Sequence, residues 1–164
     1  MINTSMTSIT QQANIHTGAP TTADAAAAFI ATFRGSFTSM LRWPQLDQLW
    51  QLLREQNKSW FIYALGETPP QTVATTAQLH RFIDEIDKLI RREHEEEYCG
   101  IVYADNRDDP SFIKIYDPNN LGVSCGFSDN PPLPGWILSL EQPTDLSQLP
   151  QPGNRRRWWQ KLFS

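Results

Sequence analysis

Two cysteines are too few for a disulfide-built scaffold, and Cys99 and Cys125 stand too far apart for a zinc knuckle. No apolar stretch reaches the roughly 18 residues that a bilayer-crossing helix needs. Met1 to Pro20 contains neither Lys nor Arg and no apolar run like the core of a signal peptide, so nothing there is expected to direct export. A reducing cytoplasm is the expected compartment. No phosphate-binding Gly-rich loop and no nucleophile elbow occurs. No motif implies a cofactor, and none carries a family resemblance.

Cations are scarce outside the C-terminus. Residues 151–164 hold Arg155, Arg156, Arg157 and Lys161 and no acid, so the other residues set ten basic against eighteen acidic side chains, a balance of −8 behind the overall −4. An acidic body repels phosphate backbones, which disfavours nucleic acid as a partner.

What is present is an ordinary globular composition. With 164 residues, 40% of them hydrophobic and 11% aromatic, the chain can build one core with loose ends. Residues 1–22 are rich in Thr, Ser, Gln and Asn and are expected to be a disordered leader. From residue 23 an Ala-rich run leading into Phe29, Ile30 and Phe33 predicts a helix capped near Thr22 or Asp24 and weakened at Gly35. A second helix is expected from Pro44, since Leu46, Leu49, Trp50 and Leu53 form one stripe. Trp60 to Leu65 then reads as a strand, stopped by Gly66 and Pro69-Pro70.

The strongest local signal is a third helix. Thr75 and Gln78 match a capping box, and Leu79, Phe82, Ile83, Ile86, Leu89 and Ile90 recur with helical spacing. Glu93 to Glu97 puts acids where the helix dipole favours cations, so that end is expected to fray. Gly100 to Asp105 and Phe112 to Tyr116, joined by a polar turn, predict a hairpin. Trp136 to Leu140 predicts a last strand, and residues 123–127 a short additional one.

The expected fold is therefore α+β: a single domain over residues 23–140, in the order α-α-β-α-β-β-β. It has one small sheet of about four mostly antiparallel strands and helices mainly on one face. Residues 141–154, with Pro143, Pro150 and Pro152, read as an extended linker, and residues 155–164 as a separate basic-aromatic tail.

That tail is the most unusual stretch. If helical, Trp158, Trp159, Leu162 and Phe163 share a face, with Arg155, Arg156, Arg157 and Lys161 around them. Such a face suits a groove on another protein, an anionic membrane surface, or the chain's own body. The tail residues are the expected partner-binding set.

A candidate ligand loop comprises Asp117, Asn119, Asn120 and Cys125, although the same residue types are what a plain turn uses. Asp105, Asp108, Asp109 and Asp117 flank the hairpin as potential acid/base groups, but acids beside hairpin turns are common. The run Glu93 to Glu97 with His94 reads first as a solvated helix end. Cys99 and Cys125, even with His94, lack the four close ligands of a zinc site, so no metal and no catalytic residue is assigned.

The resulting expectation is a non-catalytic cytoplasmic accessory, adaptor or assembly protein that binds another protein through its body and tail. Two alternatives stand beside it: a small enzyme or ligand-binding domain using the 117–126 loop with Cys99 or Cys125, and peripheral membrane attachment through the tail.

Overall fold

The computed structural model describes Gly18 and residues 21–121, 133–146 and 156–163. Within these lie four α-helices and one antiparallel sheet of five strands, an α+β fold. In chain order they are α1 (Thr22–Phe33), β1 (Thr38–Ser39), α2 (Trp43–Glu55), β2 (Phe61–Ala64), α3 (Thr76–Glu93), β3 (Val102–Ala104), β4 (Phe112–Ile115), β5 (Trp136–Ser139) and α4 (Arg156–Phe163). A 3-10 turn spans Pro118–Asn120.

The sheet order is β1-β3-β4-β5-β2. β5 is an interior strand, with Leu138 opposite both Ile113 of β4 and Ile62 of the edge strand β2. Period-two alternation then divides the side chains between two cores. Ile62, Val102, Ile113, Ile115, Trp136 and Leu138 face the larger core, built with α2, α3 and α4. Tyr63, Phe112 and Ile137 face the smaller one, beneath Phe29 of α1. Three helices on one face and one on the other agree with the expectation of helices mainly on one face.

Two elements were not anticipated in the element order. β1 has two residues and no periodicity, and it exists because Thr38 pairs with Ala104 and Ser39 with Tyr103. The tail forms α4 against the body. The sheet thus has five strands where about four were expected, and the order is α-β-α-β-α-β-β-β-α.

Local signals explain most helix ends. α1 starts one residue earlier than expected, because Thr21 is its N-cap: the Thr21 hydroxyl accepts from the Asp24 N–H, and the Asp24 carboxylate accepts from the Thr21 N–H. In α3 the reciprocal Thr75 and Gln78 bonds form as the sequence predicts. α3 ends at Glu93 with His94 as C-cap, where the acidic run begins.

Polar clasps tie α2 to α3. The Trp50 indole N–H donates to Asp87, and Arg91 bridges Asp87 and Asp47. The stretch expected to be linker is anchored at its start. Leu146 is buried in the smaller core, and the Glu141 carboxylate accepts from the Thr32 hydroxyl. The expected leader, apart from Gly18, the cap Thr21 and Thr22 of α1, lies outside the described residues, as do the possible strand at 123–127 and the remaining linker.

Candidate functional site

α4 brings the tail aromatics together on one face, as their spacing predicts, and turns that face toward the chain's own body. The Trp158 ring meets Trp136 of β5 edge-on at 5.5 Å, and Trp159 meets Phe82 of α3 at 6.4 Å. Phe163 packs on Trp159 at 4.5 Å. Leu162 is the buried anchor, 7% exposed, whereas both indoles stay half-buried. One polar tie completes the seat: the Arg81 guanidinium donates to the Lys161 carbonyl at 3.0 Å. That carbonyl belongs to the last turn, where acceptors lack intrahelical partners. The Lys161 side chain is exposed. Arg155 and the side chains of Arg156 and Arg157 lie outside the described residues.

The candidate ligand loop divides. Asp117 is buried, and its carboxylate accepts from the Asn119 N–H at 2.9 Å, capping the 3-10 turn. The Asn120 N–H donates to the Asp117 carbonyl, and Asn119 reaches Glu93 through its amide at 3.4 Å. Asp117 is thus engaged in turn formation, and Cys125 lies outside the described residues.

Asp105 is likewise engaged. Its carboxylate accepts from the Asn106, Ser111 and Phe112 N–H groups and from the Ser111 hydroxyl, closing the hairpin loop. Burial pushes its pKa up, but the bonds from Ser111, Phe112 and Asn106 outweigh this and hold it below the usual carboxylate value. Asp108 and Asp109 remain exposed, Asp109 paired with Lys58.

Cys99 is fully buried, and burial pushes its thiol pKa up, the opposite of what a nucleophile needs. His94 contacts not its sulfur but its carbonyl, with Nε2 2.8 Å away. Among the described residues no group of three or more His, Cys, Asp or Glu side chains is arranged to hold a metal ion.

Sequence reasoning missed the surroundings of His94. Its ring lies between Trp43 and Tyr98, at 6.1 and 6.2 Å, and the Trp43 indole N–H donates to the Glu96 carbonyl at 3.1 Å. These residues come from α2 and the stretch after α3. No local periodicity connects them, so only the pairing that extends β1 along residues 99–104 reveals the cluster.

No helix among the described residues is long and apolar enough to cross a membrane. No family model matches the chain, and neither a curated protein nor a solved structure matches it.

Proposed function

We propose that this chain is a non-catalytic accessory or assembly protein of the cytoplasm that binds another protein through its body and its C-terminal helix. The observation that carries the reading is how lightly α4 is held. Eight residues long, it has one buried anchor, two half-buried indoles and a single described polar tie. Half-buried Trp flanked by cations is the chemistry of interface anchors, and a short helix with few sealed side chains is an element that opens locally at low cost. Docking on the body and docking on a partner then compete for the same aromatic face.

The test is affinity capture from a cytoplasmic extract with the full chain, the Trp158→Ala/Trp159→Ala variant and Arg81→Ala. The double variant is expected to lose its partners while its thermal unfolding changes little. Arg81→Ala loosens α4 without touching its aromatics and is expected to capture the same partners more strongly. Unchanged capture by the double variant, or collapse of the whole fold in it, overturns the reading. Flotation with anionic vesicles that depends on the two tryptophans would transfer the tail to a membrane surface.

A further inference from the structure

We infer that the exposed residues Leu41 and Tyr98, with the half-buried Trp43 at the C-terminal end of α3, form a docking surface for a cationic segment of another protein, with Lys or Arg around one large apolar anchor. The inference supplies a partner class for the body surface in the accessory-protein reading and rests on that reading.

Leu41 is 54% exposed and Tyr98 51%, and backbone pairing brings their two segments together. Isolated exposed apolar residues need no explanation, but neighbours ask for one. The pairing that brings them together is backbone: the Cys99 N–H donates to the Leu41 carbonyl at 2.9 Å, and the Gly100 N–H to the Met40 carbonyl at 3.0 Å. The patch is also built rather than loose. Tyr98 stacks edge-on against His94, which in turn meets Trp43, and the Trp43 indole is pinned by the Glu96 carbonyl. Gly100 has φ +69°, and a Cβ there would stand 3.2 Å from the Tyr98 ring, so glycine provides both the turn and the room for the ring.

Charge selects the occupant. Glu95, Glu96 and Glu97 are exposed, and none of their carboxylates has a hydrogen bond or ion pair among the described residues. The nearby cations are largely spent: Arg91 binds Asp47 and Asp87 and lies over the Trp43 ring at 4.9 Å, and Arg92 pairs with Glu93. Among the described residues, Arg42 is the cation left beside three acids that have no partner there. An apolar centre with an acidic rim repels phosphate and anionic lipid and attracts a basic peptide, with the rim acting mainly on encounter rate and selectivity. The patch is distinct from the α4 seat, because Phe82 and His94 lie about 18 Å apart along the axis of α3.

Panning a random dodecamer display library on the immobilised full chain tests this, followed by fluorescence anisotropy on the selected peptides. Selected peptides are expected to carry several Lys or Arg residues beside a Leu, Met, Phe or Trp. Tyr98→Ala or Leu41→Ser, both at exposed positions, is expected to weaken them at least ~10-fold. The Glu95→Gln/Glu96→Gln/Glu97→Gln variant is expected to weaken them about 3- to 10-fold and to flatten their salt dependence. An empty selection, non-cationic peptides, or binding indifferent to Tyr98→Ala and Leu41→Ser overturns the inference. Self-association abolished by Tyr98→Ala overturns it in favour of a second copy of the chain. If the tail double variant loses its partners while the selection stays empty, this inference alone falls; if peptides bind the patch while that variant keeps every partner, the role assigned to α4 falls instead.

Discussion

α3 and α4 are both amphipathic helices packed on the same face of the same sheet, yet they are held in different ways. α3 runs for 18 residues with a complete capping box and buries six apolar side chains in the main core. α4 runs for eight, and of its aromatic face only Leu162 is buried. A strong apolar stripe therefore tells which face turns inward and not how firmly it is kept there. Firmness comes from length, caps and the number of sealed side chains.

The largest expected effect lies in α3. Ile86→Ala removes a fully buried side chain and is expected to cost about 2–5 kcal/mol of global stability, read by chemical denaturation as one shifted transition. Leu162→Ala in α4 sharpens the contrast: its cost should stay at or below about 2 kcal/mol, because a short helix with one buried anchor can detach instead of unfolding the body. The matching signature is a red-shifted Trp emission with the body's melting curve nearly unchanged. If Leu162→Ala destabilises the whole protein as much as Ile86→Ala, α4 is core and the comparison breaks.

Smaller again is the cap. Thr75→Ala is expected to cost about 1 kcal/mol through the lost N-cap bond of α3, measured by denaturant midpoint, with no change in Trp emission from α4. Reactivity orders the same way. In a Cys125→Ser background, the fully buried Cys99 should react with a thiol reagent only as fast as the fold opens, so Ile86→Ala accelerates labelling and Leu162→Ala scarcely does. Rapid labelling of the native protein would show that the core around α3 is less tightly closed than its burial implies.

The same distinction explains what the sequence disclosed. α3 was legible because its stripe, its Thr75–Gln78 box and its acidic end are all local, and each reappears in the fold. The face of α4 was legible from the spacing of Trp158, Trp159, Leu162 and Phe163. Its seat was not, since Trp136 and Phe82 are ordinary core residues until topology sets them beside the tail. β1 was invisible because two residues carry no period and their pairing with β3 is purely tertiary. The role of Asp117 was half legible: the turn was foreseen, and only the structure shows its carboxylate engaged in making that turn. Leu41 and Tyr98 belong to segments far apart in sequence, so no window along the chain joins them.

α1, alone on the other face, is held in a third way, and its effect is expected to be the smallest. It has no basic residue in its last turn; that cation comes from β4, where the Lys114 ammonium donates to the Phe33 carbonyl at 2.6 Å. The ammonium also lies 4.3 Å from the Phe33 ring centroid and 4.0 Å from that of Phe37. Burial lowers the Lys114 pKa from its ordinary 10.5 to about 8. Between those values the unfolded chain holds a proton that the folded chain has released, so this group's contribution makes stability rise with pH across the window. Below pH 8 both states are charged and the burial penalty is present in full. The value of about 8 is what burial alone sets; the ring faces and the carbonyl favour the ammonium and draw it back toward the ordinary value, which keeps the rise small. Lys114→Met removes the titration, so the stability of wild type minus that of the variant should climb from pH 8 toward 10. Tyr63 and Tyr116, whose pKa values burial raises, act at the alkaline end in both proteins and cancel in the difference. A flat difference over that range would mean that the amine keeps its proton, and that α1 is fastened by a full charge rather than by a titrating one.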